Sequence, residues 1–132
     1  MSSPQCTCCS GKPADKCCLP FLQQQKYPPT PEKLMRSRFS AYALGGYGDY
    51  LLSTWLPAMA QNVNAIDLSQ RDTDWQSLEI LAHSQKADDG YVEFMATYND
   101  GNNHLQRYHE KSVFKRVKGR WLYVGIEVET EN

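Results

Sequence analysis

Residues 92–126 read VEFMATYNDGNNHLQRYHEKSVFKRVKGRWLYVGI and contain the clearest indication of the fold. Apolar and polar side chains alternate in three runs, and glycine-containing turns separate the runs. Alternation is the period of a β-strand with one buried face, and short turns join antiparallel neighbours. The pattern predicts strands over 90–99, 104–116 and 120–128, preceded by a strand over 75–84.

The last turn of this stretch controls how the final strand pairs. A three-residue loop over 117–119, ending in a glycine with left-handed backbone, is a common hairpin geometry. It pairs Phe114 with Leu122. A two-residue loop would instead set Glu110 opposite Glu127, which is an unfavourable pair of like charges. The three-residue loop is therefore the preferred prediction.

The preceding turn, over 100–102, is given the same length and sets Phe94 opposite Tyr108. With both turns in place, one face of the sheet is apolar and is expected to pack on helices. Its members are Val92, Phe94, Ala96, Tyr98, Tyr108, Phe114, Leu122, Val124 and Ile126. The opposite face is expected to meet solvent or another copy of the chain in a homodimer. It carries Glu93, Arg107, His109, Lys111, Lys115, Trp121 and Tyr123.

Helical patterns come before the strands. Thr30 is a good N-cap, Pro31 suits the first helical position, and the helix is expected to end at Gly45. A second helix is expected over 47–55 and a shorter third helix within 58–74. Helices followed by an antiparallel sheet indicate an α+β fold.

Two polar residues, Glu110 and Ser112, fall on the apolar face of the predicted sheet. A buried carboxylate needs a cation or several hydrogen-bond donors. Arg38 lies on the apolar side of the first helix, so we expect an Arg38–Glu110 contact. One interpretation is an ion pair that holds the helix to the sheet, and this is preferred. The other is a ligand pocket formed by these three residues with Tyr98 and Tyr108.

The charge balance limits the classes of partner. The chain of 132 residues has 14 Lys+Arg and 15 Asp+Glu, a net charge of −1. This balance argues against binding to nucleic acid through a general electrostatic attraction. No apolar run of about 18 residues is present, so no membrane span is expected. The first residues lack the pattern of a secretory signal, and a cytoplasmic, reducing location is expected.

All five cysteines lie in the first eighteen residues. Four of them, Cys6, Cys8, Cys17 and Cys18, follow the spacing C-x-C-x8-C-C. Four clustered thiolates are typical of a tetrahedral Zn²⁺ site, and a closed four-thiolate site is structural because no position stays open for substrate. The alternative is a set of unconnected structural or redox cysteines. Cys9 is the surplus thiol, either a bystander or a replacement for one of the four.

The segment CTCCSGKPADKCC, residues 6–18, resembles the SEC-C motif, which also closes the bacterial protein SecA. The resemblance implies zinc bound by Cys6, Cys8, Cys17 and Cys18. Cys9 stands where that family usually has glycine, and Pro13-Ala14 replaces a more basic and aromatic pair.

The remaining chain resembles the YchJ family of small bacterial proteins. The matching segments are LMRSRFSAY (34–42), YLLSTW (50–55), VEFMATY (92–98), HEKSVF (109–114) and GRWLY (119–123). The resemblance implies a cystatin-like fold of the nuclear transport factor 2-like (NTF2-like) superfamily. In that fold a curved antiparallel sheet wraps around helices and encloses a conical pocket.

The expected organisation is a zinc-binding segment over 1–20, a polar linker over 21–30 and an α+β domain over 31–132. The preferred functional hypothesis is a zinc-binding adaptor that contacts a protein partner through its cysteine-rich end. The alternative is a small-molecule binder or an enzyme that uses the pocket. No nucleophile–base pair or cofactor motif selects a reaction class, so whether the protein is an enzyme is left open.

Overall fold

The computed structural model describes residues 4–127. The predicted end of the last strand at residue 128 therefore lies outside the described residues, as do the ends of the segments expected over 1–20 and 31–132. The helices are α1 (Leu19–Leu22), α2 (Pro31–Leu44), α3 (Gly48–Ser53) and α4 (Ala65–Leu68), with 3₁₀ turns at Ala14–Lys16 and Pro57–Met59. The strands are β1 (Asp74–Lys86), β2 (Asp89–Asn99), β3 (Leu105–Val117) and β4 (Arg120–Ile126). They form one antiparallel sheet in the order β1-β2-β3-β4, which confirms the α+β class.

The long helix α2 begins and ends as the sequence predicts. The Thr30 side chain accepts a hydrogen bond from the Lys33 backbone N–H at 3.2 Å, and Pro31 occupies the first turn. Gly45 ends the helix with a φ of 75°, a conformation that costs glycine little. One face of α2 packs on the sheet. The buried core between them consists of Leu34, Met35, Phe39, Ala43, Leu78, Val92, Phe94, Ala96, Phe114 and Trp121.

The shorter third helix expected within residues 58–74 is α4, a single helical turn. A 3₁₀ turn at Pro57–Met59 precedes it. The side chain of Asn64 caps α4 by accepting from the Asp67 backbone N–H at 2.8 Å. α4 packs closely on the start of α3, where a Cβ atom on Gly48 would lie 1.8 Å from the Ala65 carbonyl oxygen. A glycine at this position therefore permits the close approach of the two helices.

The β3–β4 turn corrects the preferred prediction. It is a two-residue turn at Lys118-Gly119, with φ values of 52° and 80°, and Val117 pairs with Arg120. Two positive φ values in succession are those of a type I′ turn, whose twist matches that of the strands. A one-residue change of register reverses the faces of a strand. Trp121 and Tyr123 consequently face the core and the helices, and Leu122 takes the opposite face.

The like-charge pair that argued against this turn does not form. A bulge changes the register between Phe114, which pairs with Tyr123, and Val113, which pairs with Gly125. Beyond the bulge, Lys111 lies beside Glu127, and their charged atoms are 2.9 Å apart. An opposite-charge pair thus replaces the expected repulsion.

The β2–β3 turn is also different from the prediction. Its loop spans residues 100–104, five residues rather than three, and Asn99 pairs with Leu105. Phe94 therefore lies opposite Glu110 and not opposite Tyr108. The shift is two residues, which preserves the faces, so the predicted inward positions of these two strands hold.

The cysteine-rich segment packs against the helices. A second buried cluster joins it to α2 and α3, and its members are Cys6, Cys8, Cys18, Phe21, Leu22, Ala41, Tyr50 and Leu51. Phe21 and Leu22 were expected in a polar linker, but they form part of α1 and are 7% and 4% exposed. Residues 23–27 are exposed. The segment is thus joined to the rest of the chain by packing as well as by the backbone. None of the helices within residues 4–127 has the length and apolar character needed to cross a bilayer.

Candidate functional site

The four predicted metal ligands lie together. The sulfur atoms of Cys6, Cys8, Cys17 and Cys18 are all within 4.8 Å of one another. The Cys8–Cys17 and Cys17–Cys18 sulfur distances are 3.6 and 3.9 Å. A zinc–sulfur bond of about 2.3 Å gives a tetrahedron with edges of about 3.8 Å. The donor set and its spacing therefore fit a closed tetrahedral metal site.

The clustered thiols shift one another's pKa values in opposite directions. Hydrogen bonds from Cys18 and Cys8 hold the pKa of Cys6 far below its ordinary value. Hydrogen bonding to Cys6 and Cys8, with burial, raises the pKa of Cys18. One thiolate is thus stabilised at the expense of its neighbours. A divalent cation would allow all four thiols to ionise together.

Polar contacts hold the cysteine loop on α2. Arg36 donates from Nη1 to the Cys8 carbonyl oxygen at 2.9 Å and from Nε to Glu32 at 3.0 Å. His83 on β1 lies 3.0 Å from the other oxygen of Glu32. The Cys6 sulfur is 3.9 Å from the Ser40 hydroxyl. The position of the loop is therefore fixed by the helix and by the first strand.

Cys9 lies outside the cluster. Its side chain is exposed, and its backbone has a φ of 65°, the left-handed region that favours glycine. Glycine, the usual residue at this position of the SEC-C motif, would adopt this conformation at a lower cost than Cys9 does. Of the two roles left open for Cys9, the structure supports that of a bystander.

A cavity of about 570 Å³ lies between the helices and the sheet. Four of the five predicted pocket residues line it: Arg38, Tyr98, Tyr108 and Glu110. The fifth, Ser112, is fully buried behind Glu110, to which its hydroxyl donates a hydrogen bond. The other lining residues are Met35, Phe39, Tyr42, Trp55, Asp67, Leu68, Gln70, Asp72, Thr73, Trp75, Phe94, Ala96 and Tyr123.

Trp55 and Tyr123 are among the aromatic lining residues that were not predicted as part of the pocket. Tyr123 was placed on the wrong face because the turn was given three residues. Trp55 lies just after α3, where residues 54–56 pair with β4: the Leu56 N–H donates to the Tyr123 carbonyl at 2.8 Å. The Lys118-Gly119 dipeptide, typical of a two-residue turn, was the sequence feature that could have revealed Tyr123.

Arg38 does not form the expected contact with Glu110. Within residues 4–127 the two are not ion-paired, and Arg38 Nη1 donates instead to the Leu51 carbonyl and to the Thr54 hydroxyl, both at 2.7 Å. Burial lowers the pKa of Arg38. The Leu51 carbonyl belongs to the C-terminal end of α3, where carbonyls lack helical partners and a cation is favourable. This nearby acceptor takes the place of the carboxylate.

Glu110 is held by hydroxyl groups. Tyr108 donates to Oε1 at 2.5 Å, and Tyr123 donates to Oε2 at 3.4 Å. Burial, together with the nearby Glu110 carboxylate, raises the pKa of both tyrosines. The Tyr123 ring also lies 4.7 Å from the Arg38 guanidinium carbon. One tyrosine thus contacts the cation with its ring and the anion with its hydroxyl.

The lining of the cavity combines a few charged groups with many aromatic rings. A fixed guanidinium and a fixed carboxylate occupy separate points of an aromatic wall. Mostly apolar cavities of this size with a few polar groups are typical of small-molecule sites.

Comparison with protein families gives a match over most of the chain. The family described as "YchJ, middle NTF2-like domain" matches residues 30–125. A UPF0225 protein of Sodalis glossinidius is 41% identical, with 94% of this chain and 82% of that protein covered. A UPF0225 protein of Chromobacterium violaceum is 42% identical, with 89% and 88% covered.

Two solved structures are similar over nearly the whole chain. The solution structure of a SEC-C motif containing protein from Rhodopseudomonas palustris has a TM-score of 0.86 and 35% identity, and covers 96% of this chain and 100% of that one. The crystal structure of a SEC-C motif containing protein from Psychrobacter arcticus has a TM-score of 0.82 and 25% identity, with 98% and 86% covered. The similarity includes the cysteine-rich end as well as the sheet.

Proposed function

The chain belongs to the YchJ family, whose relatives are named UPF0225 proteins, and we propose that it binds a small molecule in the cavity between helices and sheet. The observation that carries this proposal is a cavity of about 570 Å³ with Arg38 and Glu110 fixed in its wall. Ligand sites of drug-sized molecules have volumes of about 300–1,000 Å³ and combine apolar walls with a few oriented polar groups. The cavity meets both conditions.

A thermal-shift screen of metabolites tests the proposal. Compounds that raise the melting temperature should lose that effect in Thr73→Trp, because Thr73 lines the cavity and an indole there would occupy space needed by the ligand. Thr97→Trp is the matched control, since Thr97 lies on the opposite face of β2. Compounds that stabilise Thr73→Trp as strongly as the wild type would bind elsewhere and would contradict the proposal.

We further propose that the metal of the cysteine cluster is zinc and that its role is structural. Thiolate ligands in a tetrahedral arrangement suit zinc, and four protein ligands leave no open coordination position. The arrangement is thus one that braces the loop against α2. Metal analysis of the purified protein should find about one zinc ion per chain.

The matched pair of variants for the metal is Cys17→Ser and Cys9→Ser. Cys17 belongs to the cluster and is only partly buried, so the change should remove bound zinc with limited disturbance of the core. Cys9→Ser should retain the full metal content. Equal metal content in the two variants would show that the cluster is not the binding site.

The adaptor hypothesis is the second candidate, and the exposed outer side of the cysteine loop favours it. Cys9, Lys12 and Lys16 are exposed there, while the inner side is used for packing on α2 and α3. The charge-reversed variant Lys12→Glu/Lys16→Glu should lose a protein partner captured by the wild type while it keeps its metal. Identical captured partners would contradict the adaptor role. We also propose a cytoplasmic location, because thiolates stay available for metal in that reducing compartment.

A further inference from the structure

The Arg38 guanidinium is held rigidly in the cavity wall. Nη1 uses both of its hydrogens, one toward the Leu51 carbonyl and one toward the Thr54 hydroxyl. The centres of the Trp55 and Tyr123 rings lie 5.2 and 4.7 Å from the guanidinium carbon. The side chain is 2% exposed. A guanidinium so constrained has a single orientation, and its position does not depend on solvent.

One edge of this guanidinium is left without a partner. Within residues 4–127, Nε and Nη2 of Arg38 donate no hydrogen bond, and they are not among the fully enclosed nitrogens that lack a partner. They are therefore not completely enclosed, and Arg38 is one of the residues that line the cavity. The Nε–Nη2 edge of a guanidinium presents two parallel N–H donors, the geometry that binds a carboxylate through both oxygens.

From this edge we infer that the ligand of the cavity is a small-molecule carboxylate with an aromatic or apolar body, whose carboxylate pairs with Nε and Nη2 of Arg38. The inference rests on the proposed function, because it names the class of ligand for the same cavity. A buried cation without an anionic partner is costly, and a bound carboxylate removes that cost. The ligand therefore supplies an ion pair in direct contact with Arg38, which no carboxylate within residues 4–127 forms.

The charges around the cavity select a carboxylate over a phosphate. Arg38 is the one cationic residue of the lining in the described chain, whereas Glu110, Asp67 and Asp72 are acidic. A doubly charged phosphate would meet one cation and three carboxylates. A singly charged carboxylate pairs with Arg38 and adds half as much negative charge to this acidic lining as a doubly charged phosphate would.

The rest of the lining determines the body of the ligand. Aromatic and apolar side chains cover the walls on the helix side and on the sheet side. They include Phe39, Trp55, Trp75, Phe94, Tyr98 and Tyr108. Flat apolar groups bury large areas against such rings and prefer offset or edge-to-face contacts.

Titration calorimetry with matched probe pairs tests the inference on the full chain. The pairs are 2-naphthoate with 2-naphthamide and indole-3-acetate with indole-3-acetamide, each at up to millimolar concentration. Charge-assisted hydrogen bonds contribute more than neutral ones, so each acid should bind at least about tenfold more tightly than its amide. If acid and amide bind equally, the cavity is a ligand site but the role of Arg38 is refuted. If no probe binds, the proposed function fails as well.

Two charge variants provide the internal control. Arg38→Gln should reduce the acid–amide ratio to about one while amide binding continues. Glu110→Gln should increase the affinity for the acids, because it removes a negative charge whose interaction with Arg38 competes with that of the ligand, and should leave amide affinity unchanged. If Arg38→Gln does not fold, the acid-selective gain in Glu110→Gln decides the question. An unchanged acid affinity in Glu110→Gln would overturn the inference.

Discussion

The Thr54 hydroxyl accepts one of the hydrogen bonds that stabilise the buried guanidinium of Arg38. Its Oγ1 accepts from Arg38 Nη1 at 2.7 Å and donates to the Tyr50 carbonyl at 2.9 Å. The residue is 3% exposed, so water cannot replace it. The helical period predicts that Arg38 faces inward, but the partner depends on where α3 ends in space. Local periodicity does not reveal how close the end of α3 lies to Arg38. The prediction that Glu110 is the partner of Arg38 was therefore wrong.

Thr54→Val should destabilise the protein by about 1–3 kcal/mol, because it leaves a buried hydrogen of a charged donor without an acceptor. The shape of the side chain is almost preserved, so little of the effect should come from packing. Urea denaturation gives the free energy of unfolding. Thr97→Val is the control on the outer face of β2 and should change it by less than about 0.5 kcal/mol. Equal effects of the two substitutions would contradict the role given to Thr54.

Tyr50 should make stability fall in alkaline solution. Burial raises the pKa of Tyr50 to about 12, so the folded state holds the proton more tightly than the unfolded state does. The contribution of Tyr50 to the free energy of unfolding is complete below about pH 10, the pKa of an unfolded tyrosine. It is lost as the pH rises toward about 12. The free energy of unfolding should decline across that range. In Tyr50→Phe the decline should be shallower, and equal slopes for the two proteins would contradict the assignment.

At the scale of elements, the β3–β4 hairpin is the part that the sequence left most uncertain. The strands and their inward positions in β2 and β3 follow from alternation alone. The register of β4 depends on one turn residue and on a bulge at Val124, which neither periodicity nor charge pairing reveals. The two irregularities act together: the short turn turns Trp121 and Tyr123 inward, and the bulge prevents contact between Glu110 and Glu127.

Gly119→Ala should destabilise the protein by about 1–2 kcal/mol, because φ is 80° and an L-residue with a side chain resists that conformation. No atom lies near the added Cβ, so the cost is conformational and not a clash. Gly125→Ala is the matched control: the space around its Cβ is equally open and its φ is not left-handed. Chemical denaturation should give Gly119→Ala a clearly lower free energy of unfolding than Gly125→Ala. The opposite ranking would exclude the type I′ turn.

For the whole molecule, the unexpected feature is that the cysteine segment shares a buried cluster with α2 and α3. The sequence predicted the four clustered thiols and the order of helices and strands. It did not predict the docking, because the apolar residues that mediate it, such as Phe21 and Leu22, adjoin a run of polar ones. The same cluster contains Leu51, whose carbonyl accepts a hydrogen bond from Arg38, so the cysteine segment supports the helix that orients the cavity cation.

Metal removal should therefore lower the stability of the entire chain. Treatment with a strong chelator should shift one cooperative thermal transition, followed by far-ultraviolet circular dichroism and tryptophan fluorescence, to lower temperature. Cys17→Ser should melt at that lower temperature and should not respond to the chelator, while Cys9→Ser should behave as the wild type. Two separate transitions, with the sheet unaffected, would indicate instead an independent metal-binding segment.

Residues 54–56 have a further consequence for the behaviour of the folded protein in concentrated solution. They add hydrogen bonds to the outer edge of β4, through the Tyr123 N–H to the Thr54 carbonyl at 2.7 Å and the return bond from Leu56. The opposite edge strand, β1, contains two register irregularities, at Trp75/Ser77 and Ile80/Ala82. Unprotected regular edges are the templates on which sheets grow from one molecule to the next. Because the edge of β4 is hydrogen-bonded and the edge of β1 is irregular, folded copies should resist fibril growth. On heating, aggregation should begin only once the protein unfolds.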